Sequence, residues 1–369
     1  MDASIWRLRA NHDAFPEDGG MLTSGSTIVL ATDAWRPQVS GVVRTWESVL
    51  SVLEGRGYQT EVLCPTDHRR TIPLPRYPEI RLAPWPFGAV AKRLDALRPN
   101  AVHIATEGPI GIATRRWCLR RGVPFTTSYH TKLAEYAQAY TKLPLRMGYG
   151  LLKKFHGPAS ATLVPTPTIR DELVTRGFKD INVWTRGVDH DTFRVYPEHE
   201  REKFGTGPIF LYAGRLAVEK NLDAFLQLDL PGTKVLVGDG PHRKKLERKY
   251  PDAVFTGYRY GDDLARAYAS GDCFVFPSLT DTFGVVMIEA MACGLPVAAF
   301  PVTGPIDVVQ DGVSGIVNED LQAACLQAVE LPQAGVLEHA RTFTWERTTD
   351  ILLETLVSID QEQHASKSN

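Results

Sequence analysis

The sequence contains no Cys-x-x-Cys pair and no long apolar run. Its five cysteines are scattered over 369 residues, which indicates neither a zinc site nor a disulfide framework and fits a reduced, cytosolic compartment. No segment approaches the ~20 uninterrupted apolar residues of a membrane-spanning helix, and the N-terminal residues lack the apolar run of a signal peptide. The net charge of -2 gives no general case for a nucleic-acid partner. We therefore expect a protein that is free in the cytoplasm or peripheral on the inner face of the membrane.

Short apolar strands alternate with helices along most of the chain. This alternation predicts an α/β fold with doubly wound parallel sheets that are covered by helices on both faces. Because the chain is too long for one ordinary domain, we expect two Rossmann-like domains. The predicted divisions are a flexible leader (1–25), an N-terminal domain (26–190), a linker (191–207), a C-terminal domain (208–343), and a last helix that returns to the first domain, with a polar tail (344–369). The Pro-rich segment 65–87 is expected to be poor in strands.

The stretch 273–296 is predicted to be a buried strand, a polar loop and an apolar helix. It keeps two acids, Asp281 in the loop and Glu289 in the helix. Loops at the carboxyl ends of strands bind ligands in open α/β sheets, and free N–H groups at Gly284 and Val285 suit an anionic or hydroxyl-rich ligand. The alternative is structural: Asp281 caps the helix and Glu289 forms an ion pair.

Two residues of the predicted N-terminal domain stand in loops that follow strands. Gly41 opens a helix after the strand that begins at Thr27, where its missing side chain lets the backbone approach a ligand phosphate. His130 follows a strand that ends at Ser128, at the edge of the sheet where ligands bind. A lone histidine is more often structural, but this position favours a functional role.

Residues 142–156 are predicted to form an amphipathic helix with basic and aromatic side chains. Lys153 and Lys154 stand beside Leu151, Leu152 and Phe155. Such a helix can lie on an anionic membrane surface. A helix that packs on the core and exposes its basic side to water explains the same pattern.

Six motifs follow one another over residues 27–356. They are Pro37-Gln-Val-Ser-Gly-Val42, Thr127-Ser-Tyr-His-Thr131, Arg186-Gly-Val-Asp189 with Phe193, Ala213-Gly-Arg-Leu-Ala-Val-Glu-Lys220, Val237-Gly-Asp-Gly-Pro241 and the stretch 273–296. In this order they resemble the motifs of the retaining nucleotide-sugar glycosyltransferases of family 4. The stretch 273–296 resembles the family's two glutamates separated by seven residues, except that the first acid here is Asp281. The resemblance implies the GT-B architecture, in which two Rossmann-like domains face a cleft, the N-terminal domain on the acceptor side and the C-terminal domain binding the nucleotide sugar.

The resemblance implies a catalytic set of four residues. Arg215 and Lys220 would hold the diphosphate of the donor, where two fixed cations neutralise the charge that grows on the leaving group. Surface ion pairing is the alternative for both. His130 would touch the donor sugar, or support developing positive charge through its backbone carbonyl. Asp281 would hold the transferred sugar.

Other residues of the same motifs are implied to bind the donor. Glu289 would accept hydrogen bonds from the ribose hydroxyls, since its two oxygens suit a diol. The backbone N–H groups of Phe283 and Gly284 would hold the sugar with Asp281, and Val285 would add an N–H at the helix start. Because Asp281 is one methylene shorter than the family's glutamate, its hydrogen bond to the sugar is expected to differ.

Glycine-containing loops complete the implied donor site. Gly41 would give the backbone access to phosphate, and Gly238 and Tyr258 would stand where the family positions the nucleotide, although a glycine turn alone is weak evidence. The sequence has no Asp-x-Asp element poised as a metal site, so neither a metal nor a cofactor is implied, and the nucleotide-diphosphate sugar is a co-substrate. Positive side chains and a helix N-terminus would supply the electrostatic role of a metal.

The implied reaction is the transfer of a hexosyl unit, with retention, to a lipid or glycan acceptor. Mannose from GDP-mannose is slightly favoured over a hexose from UDP. Thr280-Asp-Thr-Phe-Gly284 and Ser128-Tyr-His-Thr131 most resemble the glycolipid hexosyl- and mannosyltransferase branch, and the basic helix 142–156 would then contact the membrane. Two other functions stay open: a non-hydrolysing UDP-sugar 2-epimerase, and a non-catalytic protein that binds sugar nucleotides.

Overall fold

The computed structural model describes residues 22–38, 40–68, 70–74, 77–197 and 201–359. The predicted leader lies outside these ranges up to residue 21, and so does the tail from residue 360. Within the described ranges, two six-stranded parallel sheets form the frame of the protein, and a short antiparallel hairpin is added to the first half.

The N-terminal unit is built on a sheet whose strands follow the order β2-β1-β5-β6-β7-β8. Its strands are β1 (Thr27–Ala31), β2 (Gln59–Leu63), β3 (Ile72–Leu74), β4 (Tyr77–Leu82), β5 (Ala101–Ile104), β6 (Thr126–Ser128), β7 (Ala161–Val164) and β8 (Ile181–Val183). Its helices are α1 (Gly41–Gly55), α2 (Phe87–Leu97), α3 (Pro109–Arg121), α4 (Leu133–Thr141), α5 (Leu145–His156) and α6 (Pro167–Thr175).

The C-terminal unit is built on a sheet whose strands follow the order β11-β10-β9-β12-β13-β14. Its strands are β9 (Ile209–Ala213), β10 (Thr233–Val237), β11 (Val254–Gly257), β12 (Cys273–Phe276), β13 (Val297–Ala299) and β14 (Gly315–Val317). The helices that follow the N-terminal unit are α7 (Arg201–Phe204), α8 (Leu222–Leu226), α9 (Arg243–Lys249), α10 (Gly261–Ala269), α11 (Val285–Ala292), α12 (Pro305–Val308), α13 (Leu321–Ala328), α14 (Gln333–Ala340) and α15 (Trp345–Thr355).

The predicted fold class, with two doubly wound parallel sheets, is confirmed. Every residue of the central strands β9 and β12 is buried, as expected for strands that are covered by helices on both faces. The strand order reverses between β9 and β12 in the second sheet, and between β1 and β5 in the first. Ligands of such sheets bind in the crevice outside the carboxyl ends of the strands at this reversal. The loops after β9 and β12 are therefore the place to look for a site.

The last helix, α15, packs on the N-terminal unit. The indole Nε1 of Trp184 donates to the carbonyl of Thr348 at 2.7 Å, and Arg56, directly after α1, pairs with Asp350 at 2.6 Å. Leu352 lies in the same apolar cluster as Trp46 of α1. The chain thus crosses from the N-terminal unit to the second one and returns.

The prediction that segment 65–87 is poor in strands is wrong. Strands β3 and β4 form an antiparallel hairpin in which Ile72 pairs with Leu82 and Pro73 pairs with Arg81. Proline has no N–H group to donate, so a proline-containing run argues against a central strand. A two-stranded hairpin has only edge strands, and it tolerates Pro73 for that reason.

Several elements were not predicted from the sequence, among them helix α4, strands β8 and β14, and helices α7, α13 and α14. Helix α13 carries a readable start signal, because the side chain of Asp320 accepts hydrogen bonds from the N–H groups of Gln322 and Ala323. Strand β14 has only three residues, too few to show a period.

The segment 191–207, predicted to be a linker, contributes to the core of the C-terminal unit. Phe193, Tyr196 and Phe204 lie in the large apolar cluster that also contains Phe274 of β12. The segment was predicted to be a linker because its composition is charged and turn-rich. Its three aromatic side chains anchor it to the core of the C-terminal unit.

Candidate active site

Two turns that contain glycine, one after strand β9 and one after strand β10, pack against each other. A Cβ atom added to Gly238 would stand 1.9 Å from the carbonyl oxygen of Gly214, and Gly238 has a φ of 145°. The backbone turn that carries Arg215 therefore packs directly against the turn after β10. Gly238 was predicted to help position the nucleotide. Its close contact with Gly214 within the protein explains why this position needs glycine.

Lys220 and Asp281, predicted separately for the diphosphate and the sugar, form an ion pair. Lys220 ends a 3₁₀ turn after β9, and its Nζ lies 2.6 and 2.8 Å from the two carboxylate oxygens of Asp281. Both side chains are about one-quarter exposed. The structure thus brings together the cation and the anion from the two loops at the strand reversal.

The loop after β12 turns into helix α11 at Gly284, which has a φ of 84°. A Cβ atom there would stand 2.8 Å from Met287 Cε and 2.9 Å from Phe276 Cζ, so a side chain would have to displace the ends of these two side chains, and residues other than glycine rarely adopt this φ. The side chain of Phe283 is buried, and the Arg186 guanidinium lies 6.0 Å from the centre of its ring. Because Phe283 is buried and Gly284 has no side chain, the backbone of the turn is the part that a ligand could contact. Helix α11 begins at Val285, immediately after the turn.

Glu289 lies one turn into α11 and is 3% exposed. Arg44 of α1 donates from Nη1 to Glu289 Oε1 at 2.7 Å, and the hydroxyl of Tyr268 donates to Oε2 at 3.2 Å. Burial raises the pKa of Glu289 above its ordinary value, while the charge of Arg44 and these two hydrogen bonds act in the opposite direction. Arg44 is a functional candidate that sequence reasoning missed, although Gly41 stands three residues earlier on the same helix.

His130 is enclosed by the protein at both of its ring nitrogens. Trp46 Nε1 donates to His130 Nε2 at 3.0 Å, and Arg186 Nη2 lies 3.2 Å from Nδ1. Burial, and then the charges of Arg186 and His103, hold the pKa of His130 well below its ordinary value, so the ring is neutral at pH 7. The carbonyl of His130 accepts a hydrogen bond from Thr282 Oγ1 at 2.8 Å. In this structure that carbonyl, predicted to face the sugar, contacts the loop next to Asp281.

Arg186 is a second residue to which sequence reasoning gave no role. Its Nη1 donates to the carbonyls of Trp184 at 2.6 Å and Thr185 at 3.0 Å, and its guanidinium stacks on the Trp184 ring at 4.5 Å. Burial lowers the pKa of Arg186 to about 9, which leaves it charged at neutral pH. It places a fixed positive charge between His130 and Phe283. The motif that contains it was recognised, but burial and stacking depend on the fold.

The other predicted residues lie nearer the surface of the two units. Gly41 is the first residue of α1, where Ser40 caps the helix, and no heavy atom of the described residues lies within 4 Å of a Cβ added there. Tyr258 follows β11, is half exposed and stacks on Tyr260. The carbonyl of Arg215 accepts a hydrogen bond from the hydroxyl of Tyr212 at 3.1 Å.

A cavity of about 250 Å³ lies between the two units beside Glu289. Its lining residues are Arg44, Glu47, Ser48, Gly187, Val188, Asp189, Thr192, Phe193, Gly261, Val285, Glu289 and Trp345. Of the predicted donor residues, it contains Val285 and Glu289. Further contacts join the units nearby: Thr168 Oγ1 donates to Asp307 at 3.0 Å, and Lys132 Nζ lies 3.5 Å from Thr303 Oγ1.

A second cavity, of about 110 Å³, lies at the carboxyl ends of β1 and β2, beside the hairpin of β3 and β4. Asp33, Arg36, Gln38 and Arg81 are among its lining residues. The carboxylate of Asp33 also accepts hydrogen bonds from N–H groups in the first turn of α3, with Ile110 N at 2.9 Å. The N-terminal unit therefore has a cavity of its own at the carboxyl ends of two neighbouring strands.

In the part of the chain that the structure covers, no group of three or more His, Cys, Asp or Glu side chains is arranged to hold a metal ion. Nor is any described helix both long and apolar enough to cross a bilayer.

Comparisons with known proteins place these observations in a family. The family model described as Glycosyltransferase Family 4 matches residues 39–192, and the model described as Glycosyl transferases group 1 matches residues 207–331. A GDP-mannose-dependent alpha-mannosyltransferase of Mycobacterium tuberculosis is 31% identical over 317 residues, which cover 79% of this chain and 83% of that protein. Sulfoquinovosyl transferase SQD2 of Arabidopsis thaliana is 30% identical over 306 residues, covering 75% of this chain and 60% of that protein.

The fold has solved counterparts. Sucrose-phosphate synthase from Thermosynechococcus elongatus superposes with a TM-score of 0.69 at 19% sequence identity, covering 89% of this chain and 97% of that one. The two facing α/β units thus have the GT-B architecture. With a relative above 30% identity over most of its length and family matches in both units, the chain belongs to glycosyltransferase family 4.

Proposed function

We propose that this glycosyltransferase moves a mannosyl unit from GDP-mannose, ahead of other hexosyl units from UDP, to a lipid or glycan acceptor with retention of configuration. One observation carries the proposal: the Lys220–Asp281 ion pair stands at the strand reversal of the C-terminal sheet. The similarity to a GDP-mannose-dependent alpha-mannosyltransferase supports the choice of donor.

In the proposed reaction, Lys220 and Arg215 bind the diphosphate and neutralise the charge that grows as the glycosidic bond breaks. Asp281 holds Lys220 in place and accepts a hydrogen bond from the transferred sugar. The backbone N–H groups of Phe283, Gly284 and Val285 surround the same position. Fixed cations and N–H dipoles in a water-poor cleft stabilise developing charge more strongly than water does, because they need no reorganisation.

Retention in a single displacement requires the acceptor to attack the face that the diphosphate leaves. We propose that the departing phosphate oxygen takes the proton of the acceptor hydroxyl, so that no protein nucleophile is required. The neutral ring of His130 suits a supporting role, since its nitrogens already contact Trp46 and Arg186. His130 would then position Thr282 and the sugar loop through its carbonyl.

The acceptor is proposed to reach the cleft from a membrane surface. Met147 and Leu151 on α5 are 58% and 63% exposed, and they stand beside the exposed Lys154. An exposed apolar stripe flanked by cations is typical of helices that lie on anionic bilayers. The protein would then be peripheral on the inner face of the membrane.

Helix α3 extends this basic surface. Arg115 donates to the carbonyls of Phe155 at 2.8 Å and Lys154 at 2.7 Å, so α3 lies beside the end of α5. Helix α3 carries four arginines, α5 carries three lysines or arginines, and neither helix contains an acidic residue. Ile112 and Leu119 of α3 are also exposed. Two adjacent helices therefore favour contact with anionic lipid.

Charge reversal of α5 tests the membrane contact. In the double variant Lys153→Glu, Lys154→Glu, we expect most cosedimentation with anionic liposomes to be lost, because each basic residue near the surface contributes about 1 kcal/mol. Hydrolysis of the donor in solution should be unchanged. The matched control is Arg248→Glu, Arg341→Glu, which changes the net charge equally at exposed positions of the other unit. Equal binding by both double variants would exclude α5 from the contact.

A turnover assay tests the function itself. The protein is incubated with radiolabelled GDP-mannose or UDP-glucose and a total lipid extract, and the products are separated. Label in a lipid or glycan product supports the proposal. A new epimer of the UDP-sugar would support a 2-epimerase, and saturable binding without turnover would support a sugar-nucleotide-binding protein; either result contradicts transfer.

A further inference from the structure

An ion pair joins the two units at the wall of the larger cavity. Arg44, in the first turns of α1, and Glu289 of α11 are 245 residues apart in sequence, yet Nη1 and Oε1 are separated by 2.7 Å. The arginine side chain is 37% exposed, whereas the glutamate side chain is 3% exposed. A residue of the N-terminal unit thus holds a buried carboxylate of the other unit.

The carboxylate is only partly satisfied by these protein contacts. Each carboxylate oxygen can accept about two hydrogen bonds. Oε1 accepts one from Arg44, and Oε2 accepts one from Tyr268 at 3.2 Å. One acceptor position on each oxygen therefore remains for a ligand, and two neighbouring acceptors suit the two adjacent hydroxyls of a ribose.

We propose that Arg44 is a positioning residue of the donor site, which holds Glu289 as an oriented carboxylate so that both ribose hydroxyls meet an acceptor. The inference rests on the proposed function, in which Glu289 binds the ribose. A buried carboxylate without a partner is costly, and it takes up a proton instead of staying ionised. A protonated carboxyl group would turn one of its two acceptor oxygens into a donor, and the match to the diol would be lost.

The surroundings of Glu289 assign this task to Arg44. Among the groups around it in the described structure, Arg44 is the cation that contacts the carboxylate, and the others are neutral or acidic. They are Tyr268 on α10, Cys293 at the end of α11, and Glu47 and Asp189, which line the same cavity. Removal of Arg44 should therefore raise the pKa of Glu289 further.

The inference is tested by calorimetric binding of GDP and of 2′,3′-dideoxy-GDP, with the uridine pair in parallel. The wild-type protein should bind the ribose form at least tenfold more tightly, as expected for hydrogen bonds to a charged acceptor. In Arg44→Met this preference should fall to within about threefold. Arg44→Lys should restore part of it, and the control Arg248→Met should keep it. In a Glu289→Gln background, Arg44→Met should have no further effect on the preference.

The pH dependence separates positioning from a merely structural role. A carboxylate with a raised pKa is lost as the pH falls through that pKa. The preference for the ribose form should therefore disappear at a higher pH in Arg44→Met than in the wild type. Arg44→Gln serves as a second variant if the methionine protein does not fold.

Two negative results can be told apart. A wild-type protein that binds both nucleotides equally would overturn the ribose assignment of Glu289, and the inference with it. A wild-type preference that survives Arg44→Met unchanged, with the same pH dependence, would overturn the inference alone.

Discussion

Replacing Lys220 by alanine is expected to lower kcat/KM for the sugar donor by about 100- to 1,000-fold, the usual effect of removing one group that stabilises a developing anion. Its Nζ is fixed 2.6 and 2.8 Å from the two oxygens of Asp281, at the strand reversal of the C-terminal sheet. The free energy of unfolding should change by no more than about 1 kcal/mol, because a partly exposed ion pair contributes little. Steady-state kinetics and urea unfolding measure the two effects.

The matched control is Lys249→Ala. Lys249 forms an ion pair with Asp223 in the same unit, but these two residues belong to helices α9 and α8 and not to the loops at the strand reversal. Its kcat/KM should stay close to that of the wild type. An unchanged kcat/KM in Lys220→Ala would remove Lys220 from the diphosphate site, and an equal loss in both variants would point to a general effect of losing a lysine.

Replacing Gly238 by alanine should lower the free energy of unfolding by about 3 kcal/mol or more, since φ is 145° and the added Cβ would stand 1.9 Å from the Gly214 carbonyl. The clash is with backbone, so no side-chain rotation relieves it. Urea unfolding followed by circular dichroism measures the change.

Gly41→Ala is the control for this glycine. Its Cβ would meet no heavy atom of the described residues within 4 Å, and position 41 is the first residue of a helix. Stability should be unchanged or higher by about 0.4–1 kcal/mol. If Gly238→Ala were as stable as the wild type, the packing of the two turns would not explain the glycine, and a ligand contact would be the better reason.

The order of strands and helices could be predicted because it follows from local patterns of apolar residues in the sequence. Buried strands such as β9 and β12 are continuous apolar runs, and their alternation with helices leads to parallel sheets. The hairpin of β3 and β4 could not be predicted in the same way, since both of its strands contain proline. Helices α13 and α14 were missed although Asp320 marks the first of them.

Candidate residues of the site could be named from the sequence, but their contacts could not. The sequence identifies Lys220 and Asp281 as charged groups in suitable loops, and Glu289 as an acid in the helix that follows the second loop. It does not reveal that the first two pair with each other, or that the third pairs with Arg44 from the other unit. Such pairings depend on which distant segments the fold brings together, and the local hydrophobic periodicity of the sequence does not show them. His130 is a further example, because the contacts of its ring with Trp46 and Arg186 could not be predicted from the sequence.

The two carboxylates, Asp281 and Glu289, have different proposed roles. Asp281, one methylene shorter than the family's glutamate, orients a lysine and keeps part of its surface exposed. Glu289 is buried and is held by groups from two helices, so its oxygens are fixed. We therefore expect Glu289 to determine recognition of the nucleotide, and Asp281 to act together with Lys220 near the transferred sugar.

The most direct test of the donor site compares the calorimetric affinities of GDP and GMP, with UDP and UMP in parallel, for the wild-type protein and for Lys220→Ala. We expect the wild type to prefer the diphosphate at least tenfold, since charge-assisted hydrogen bonds to a phosphate are strong. The variant should lose most of that preference while it still binds the monophosphate. A wild type without the preference, or a variant that keeps it in full, would contradict the assignment of Lys220 to the donor diphosphate.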